Sequence, residues 1–286
     1  MMTFKFISFF LALVFLCFSS SVRAGWIIEQ VIYSVATSSK ESSKQKIKST
    51  FYFSKNRVKS LQGNSEITIN YNSNQIFIVD SGRKLYWGST IDEYISEIAR
   101  SVAQSRKKLE ESLKNMPPEQ RKAVEEEMKK QGLRLPGEAK QSDMKVQVRI
   151  EKTPDKQTMA GYNATMYKIY TDGAVYQEIW VSDDMSVYKD IDMNKMNDFQ
   201  NRVNETLSSL YTSSGGGLES SLEYQKLLEK GYPLKTVQVV GQNKGIIEVV
   251  NAKETEIGNS EFEVMKGFRK TTLEEVMKTN VGKETR

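Results

Sequence analysis

The chain has no histidine, and its one cysteine is Cys17. The absence of histidine removes the commonest general base and the commonest metal ligand. Because Cys17 lies within the first 24 residues, the rest of the chain has no thiol for nucleophilic catalysis, a zinc–thiolate site or a disulfide. Proline is scarce, with 5 in 286 residues, and two of those are adjacent at Pro117-Pro118. There is no Gly-x-Ser-x-Gly elbow, no phosphate loop closed by Lys-Ser/Thr and no dinucleotide fingerprint. Lys and Arg number 41 against 36 Asp and Glu, and the signs are interspersed. A surface for nucleic acid would cluster its basic residues on one stripe, and no such stripe is present.

The N-terminus reads as a targeting segment. Lys5 supplies a positive start, Phe6–Phe18 is nearly all apolar, and Val22-Arg23-Ala24 is close to an Ala-x-Ala cleavage site. The apolar run falls short of the roughly 20 residues that span a bilayer. Residues 1–24 are therefore expected to be a signal peptide and residues 25–286 a single exported domain. Leu16 before Cys17 argues against a lipid anchor, which wants a small residue there. Export without disulfides suits the bacterial periplasm, with an extracellular location as the second choice.

From Trp26 to Trp87 the grammar is that of a strand meander. Short runs of β-formers are separated by Ser54-Lys55-Asn56, Gln62-Gly63-Asn64, Asn72-Ser73-Asn74 and Asp80-Ser81-Gly82-Arg83. At Ser89-Thr90 the period changes. Ile91, Tyr94, Ile95, Ile98, Val102, Leu109 and Leu113 recur at helical spacing, and Pro117-Pro118 stops the run. A second helix should run to about Gln131, completing a charged helical hairpin over residues 91–131. Gly132–Ser142 reads as a linker and Met144–Glu151 as a strand. Met159–Val181 is expected to be two strands joined at Thr171-Asp172-Gly173, the strongest hairpin signal in the chain, with Gly161 marking a bulge or bend. Helices are predicted over Met193–Tyr211 and Leu218–Lys230, with Ser213–Gly217 as a connector. Strands are predicted at Leu234–Val240, Gly245–Glu256 and Phe262–Met265, and a small helix near Thr271–Met277.

One acidic cluster has the spacing of a cation loop. Asp190-Ile191-Asp192-Met193-Asn194 begins like a calcium loop, but Lys195 and Asn201 stand where the sixth-position glycine and twelfth-position glutamate belong. It reads instead as a cap on the Met193–Tyr211 helix. No cofactor or metal is expected. The other conspicuous feature is large apolar side chains on strands: Phe51, Phe53, Tyr86, Trp87, Met166, Tyr167, Tyr176 and Trp180. Most would serve an ordinary core, yet a curved sheet could also present them to an apolar ligand.

The pattern resembles the lipoprotein-carrier (LolA/LolB-like) superfamily, and within it an exported family of unknown function. The residues that carry the likeness are Tyr52-Phe53, Tyr86-Trp87, Met116-Pro117-Pro118-Glu119-Gln120-Arg121, Ala160-Gly161-Tyr162-Asn163-Ala164, Glu178-Ile179-Trp180-Val181-Ser182-Asp183-Asp184, Tyr232-Pro233-Leu234 and Phe262-Glu263-Val264. The resemblance implies an α+β fold, a curved antiparallel half-barrel of roughly eleven strands with helices across its mouth. It also implies a non-enzymatic periplasmic binding or carrier protein for a lipid, lipoprotein or other hydrophobic ligand, so that an acyl chain or an envelope protein is the expected partner. The alternatives are an envelope protein-interaction module acting through the charged hairpin, and an uncharacterised hydrolase. The long charged insert departs from the carriers.

Overall fold

Short strands joined by turns of two to four residues pair with their neighbours in the chain, and residues 47–90 do so throughout. In the computed structural model, β1 (Gly25–Ala36), β2 (Ile47–Ser54), β3 (Arg57–Gln62), β4 (Ser65–Asn70), β5 (Gln75–Asp80) and β6 (Leu85–Thr90) form an antiparallel meander. The structure describes residues 24–36, 46–130, 133–136, 147–208, 210, 218, 221–240 and 243–278. The signal-peptide expectation, the Ser213–Gly217 connector and most of the Gly132–Ser142 linker lie outside them. Lys55 and Asn56 both have positive φ between β2 and β3, which suits the twist of a tight hairpin.

Two helices follow, α1 (Ile91–Lys114) and α2 (Pro118–Lys130). Thr90 caps α1: its side chain accepts from the Glu93 N–H, and the Glu93 carboxylate accepts from the Thr90 N–H. The chain returns to strands in β7 (Val148–Met159), β8 (Tyr162–Thr171) and β9 (Ala174–Ser182). Asp172 and Gly173, both at positive φ, turn β8 into β9 as the Asp-Gly signal predicts. Gly161 differs from expectation. With Ala160 at φ 48° and Gly161 at 87°, the pair forms the β7–β8 turn itself rather than a bend within one long strand. β7 also runs on to Met159, past the expected stop at Glu151, with the register shifting between Lys152 and Lys156 around Pro154. A shift there spares proline a ladder donor it lacks.

A 3-10 turn (Val187–Asp190), α3 (Met193–Leu207), α4 (Leu222–Lys230), β10 (Tyr232–Val240) and β11 (Asn243–Thr255) come next. Asp192 is the N-cap of α3, its carboxylate accepting from the Asn194 and Lys195 N–H groups, so the capping reading of the acidic cluster holds. The expected Phe262–Met265 strand is instead the end of a 3-10 turn (Asn259–Phe262) and an extended segment. The strand pairing comes later, in β12 (Arg269–Lys270), before α5 (Leu273–Met277).

All the described strands belong to one unclosed sheet in the order β12-β6-β5-β4-β3-β2-β1-β11-β10-β9-β8-β7, antiparallel except for the short β12–β6 pair. The fold is the expected α+β curved sheet, with twelve strands and five helices among the described residues. The curvature can be measured internally. β1 and β8 are four strand positions apart, roughly 19 Å in a flat sheet. Yet the rings of Trp26 in β1 and Tyr162 at the start of β8 meet edge-to-face at 5.9 Å.

Candidate functional site

The space between the sheet and its helices is where the sequence expectation placed a ligand. On β1 to β6 the register aligns Trp26, Phe53, Val58, Ile69 and Ile76 in one row and Ile28, Phe51, Ile67, Ile78 and Trp87 in the next. The helical spacing of Ile91, Tyr94, Ile95 and Ile98 turns that stripe of α1 onto this face, and Met193, Met196 and Phe199 do the same for α3. Aromatic contacts tie the layers together. Trp87 meets Tyr94 at 5.8 Å, and Tyr94 meets Phe199 at 6.1 Å. Further along, Phe53, Tyr188 and Tyr232 touch one another at 5.6–6.0 Å.

Local polar contacts fix this layer in place. The Asn56 N–H donates to the Asp190 carbonyl, the Asn56 side-chain oxygen accepts from the Asp192 N–H, and the Lys195 ammonium donates to the Tyr71 carbonyl. The β2–β3 turn thus docks the start of α3. At the outer edge Arg202 of α3 pairs with Asp92 of α1 at 2.7 Å. The pair lies in solvent, where water and salt screen its attraction. Gly231 is needed where α4 ends, because a Cβ there would lie 2.0 Å from the Ser182 carbonyl oxygen.

Burial pushes the phenols of Tyr71, Tyr94, Tyr188 and Tyr232 up, so all four stay protonated at neutral pH. The seam therefore offers methionine thioethers, aromatic faces and neutral hydroxyls. Met159, Met185 and Met196 are buried in it, and methionine adapts its shape more readily than a branched residue. Among described residues no group of His, Cys, Asp and Glu is placed to hold a metal ion.

The eight sequence candidates do not converge on one site. Phe53 and Trp87 sit inside the main core at 6% and 5% exposure, with Phe51 and Trp180 packed at its margin. Tyr167 and Tyr176 belong to a second cluster with Ile169, Ile179, Val181 and Leu227 of α4. Met166 is buried opposite Trp180 in the β8–β9 ladder. Tyr86 alternates with Trp87 and faces away from the helices, beside a cavity described below. Sequence reasoning did not offer Tyr188 or Tyr232 as ligand residues, although Tyr232 lies in a segment that carries the resemblance; they join the aromatic seam from a 3-10 turn and a strand start. Neither lies in a periodic run that would mark it. Tyr94 was visible as a member of a helical stripe, and Phe199 lies within the predicted Met193–Tyr211 helix.

No curated protein matches the chain in sequence. Among solved structures it is similar to an uncharacterised conserved protein from Thermus thermophilus, with TM-score 0.38 and 8% identity, covering 91% of this chain and 98% of that one. It is similar to a chain of the Pseudomonas aeruginosa MucA/MucB complex, with TM-score 0.34 and 7% identity, covering 86% and 57%. It is also similar to a putative outer membrane lipoprotein-sorting protein domain from Vibrio parahaemolyticus, with TM-score 0.19 and 10% identity, covering 84% and 89%. At these scores the likenesses carry no argument, and the half-barrel description rests on the strand order and the Trp26–Tyr162 closure. The sequence model of the domain of unknown function DUF4412 matches residues 119–268, more than half of the chain, and the protein belongs to that family.

Proposed function

We propose that this is a non-enzymatic binding or carrier protein of the bacterial envelope whose ligand is an acyl chain or similar apolar group. The observation that carries the reading is the Met- and aromatic-rich seam between the unclosed sheet and helices α1 and α3. The described side chains of that seam pack against one another, so a ligand enters between them as α1 and α3 lift from the sheet. Their outer connection is a solvent-exposed ion pair, which opposes such a movement weakly. Phe51, Trp180, Tyr94 and Phe199 would then contact the ligand, with Phe53 and Trp87 forming the floor. Among described residues no helix is long and apolar enough to cross a membrane.

The test is oleate titration of the purified protein, followed by tryptophan emission and by mass spectrometry of an organic extract. Saturable change in emission, reduced in Trp180→Phe and lost when Trp87→Phe is added, and co-purified acyl chains are expected. Unchanged emission with no acyl chain in the extract would rule the reading out.

A second reading, an interaction module, is favoured by the hairpin itself. Beyond Ile98, α1 buries only Leu113, and α2 buries only Met128, leaving Lys107, Lys108, Glu111 and Arg121 in solvent. Removal of all of residues 91–131 would also strip Ile91, Tyr94, Ile95 and Ile98 from the core. The discriminating variant is therefore the charge reversal Lys107→Glu with Lys108→Glu. It should abolish partner cross-linking in the exporting host and leave the melting temperature unchanged. Cross-linking that persists in this variant would count against the module.

A further inference from the structure

The face of the meander turned away from the helices is covered by the C-terminal segment. After β11 the chain passes Gly25, where Ile257 packs, and runs across β3 to the edge of β6. On the way Lys59 donates to the Glu261 carbonyl at 2.8 Å, and Phe262 lies over the Arg57 guanidinium at 4.3 Å. Between this strap and the strands remains a cavity of about 360 Å³, bordered by Arg57, Gln75, Phe77, Tyr86, Phe262 and Glu263 among others. That is the lower end of the size range of small-molecule sites, and about ten times the share of liquid volume taken by one water.

The chemistry of the lining is specific. Nη2 of Arg57 is shut off from solvent and has no hydrogen-bond partner, and Nε donates to the Ser54 carbonyl at 3.4 Å, so a ligand in the cavity reaches the guanidinium fork when the Arg57 side chain turns outward from this position. A buried guanidinium N–H without an acceptor is costly, and a carboxylate is the acceptor whose two oxygens match the guanidinium fork. Burial lowers the pKa of Arg57, and attraction to Glu263 opposes that shift. Glu263 borders the cavity, and no ion pair forms between it and Arg57 among the described residues. One positive charge beside one negative charge disfavours a doubly charged anion such as phosphate. Phe77 and Phe262 supply flat apolar walls.

We propose that this cavity is a binding site for a small monocarboxylic acid with a flat apolar body, its carboxylate held by Arg57 and its body lying between Phe77 and Phe262. The site is on the opposite face from the seam and does not depend on it. Tyr86, which the sequence singled out as a ligand residue, belongs here.

The experiment titrates the purified, 15N-labelled protein with phenylacetate, phenylacetamide and inorganic phosphate. Phenylacetate should shift the Arg57 side-chain resonance and the amides of Phe77, Tyr86 and Phe262. Arg57→Gln should weaken it about ten-fold or more, the loss expected for a hydrogen bond to a charged group. Glu263→Gln alters an exposed side chain, leaves folding intact and should tighten phenylacetate a few-fold. The proposal is overturned if millimolar phenylacetate shifts none of these resonances. Equal affinity for phenylacetamide or phosphate, or unchanged affinity in both variants, would also overturn it.

Discussion

The two halves of the sheet reach their shapes differently. From β1 to β6 every antiparallel ladder keeps its register from end to end. Register shifts occur instead in β7–β8, β8–β9, β9–β10 and β1–β11. A bulge bends its strand and increases local twist, so curvature concentrates in the second half. The meander is held by local turns, whereas the bulged half depends on distant contact, chiefly where Tyr162 swings back onto Trp26.

The largest expected effect comes from breaking that contact. Trp26 is 5% exposed, and Trp26→Ala should cost about 3–5 kcal/mol. Hydrogen exchange should show the β7–β8 amides losing more protection than those of β3–β5. Equal loss in both halves would mean that they unfold as one unit and that the contrast between them is geometric only.

A second contact belongs to the meander half alone. Lys59 and Glu66 form a 3.2 Å pair on the strap-covered face, each side chain 10% exposed, and Thr68 bonds the same carboxylate. Lys59→Met leaves Glu66 buried without its cation and releases the Glu261 carbonyl, for an expected loss of about 3 kcal/mol. Adding Glu66→Leu should restore much of it, since an apolar pair of similar volume often replaces a buried ion pair at little cost. Chemical denaturation of the single and double variants checks this, and β7–β9 protection should hold in both.

The same contrast explains what could be read from the residues. Turn chemistry is local, so Ser54-Lys55-Asn56, Asp172-Gly173 and the helix start at Ser89-Thr90 were legible, as was the acidic cluster as a cap rather than a cation loop. Alternation told that Tyr86 and Trp87 face opposite ways, but not which side the helices would cover. The placement of Phe262 was lost because its partners, Arg57 and the floor of the strap, lie some two hundred residues earlier. Gly161 was misread because a positive-φ glycine serves a turn as well as a bend, and only the strand pairing distinguishes them. The scatter of the eight ligand candidates over two clusters and a cavity has the same origin: size and apolarity mark burial, while convergence is a tertiary property.

The smallest expected effect tests how the strap is fastened where it rounds the edge of β6. Arg83 bonds Asp80 at 2.6 Å and donates to the Val276 carbonyl at 2.8 Å, so the β5–β6 turn holds α5. Burial raises the Asp80 pKa. The Arg83 backbone N–H and guanidinium, together with the Gly82 N–H, outweigh it and leave the carboxyl below its ordinary value. A carboxyl depressed in the folded state adds stability that is complete above its unfolded pKa of about 4 and disappears as pH falls through the lower folded value. The difference in melting temperature between the native chain and Asp80→Asn should therefore be constant from neutral pH to about 5 and shrink below about 4. Because the pair is partly solvated, it should amount to no more than about 1 kcal/mol. A difference that instead grows on acidification would mean that Asp80 is not held ionised by Arg83, and that α5 is fastened by Leu273 and Val276 in the core alone.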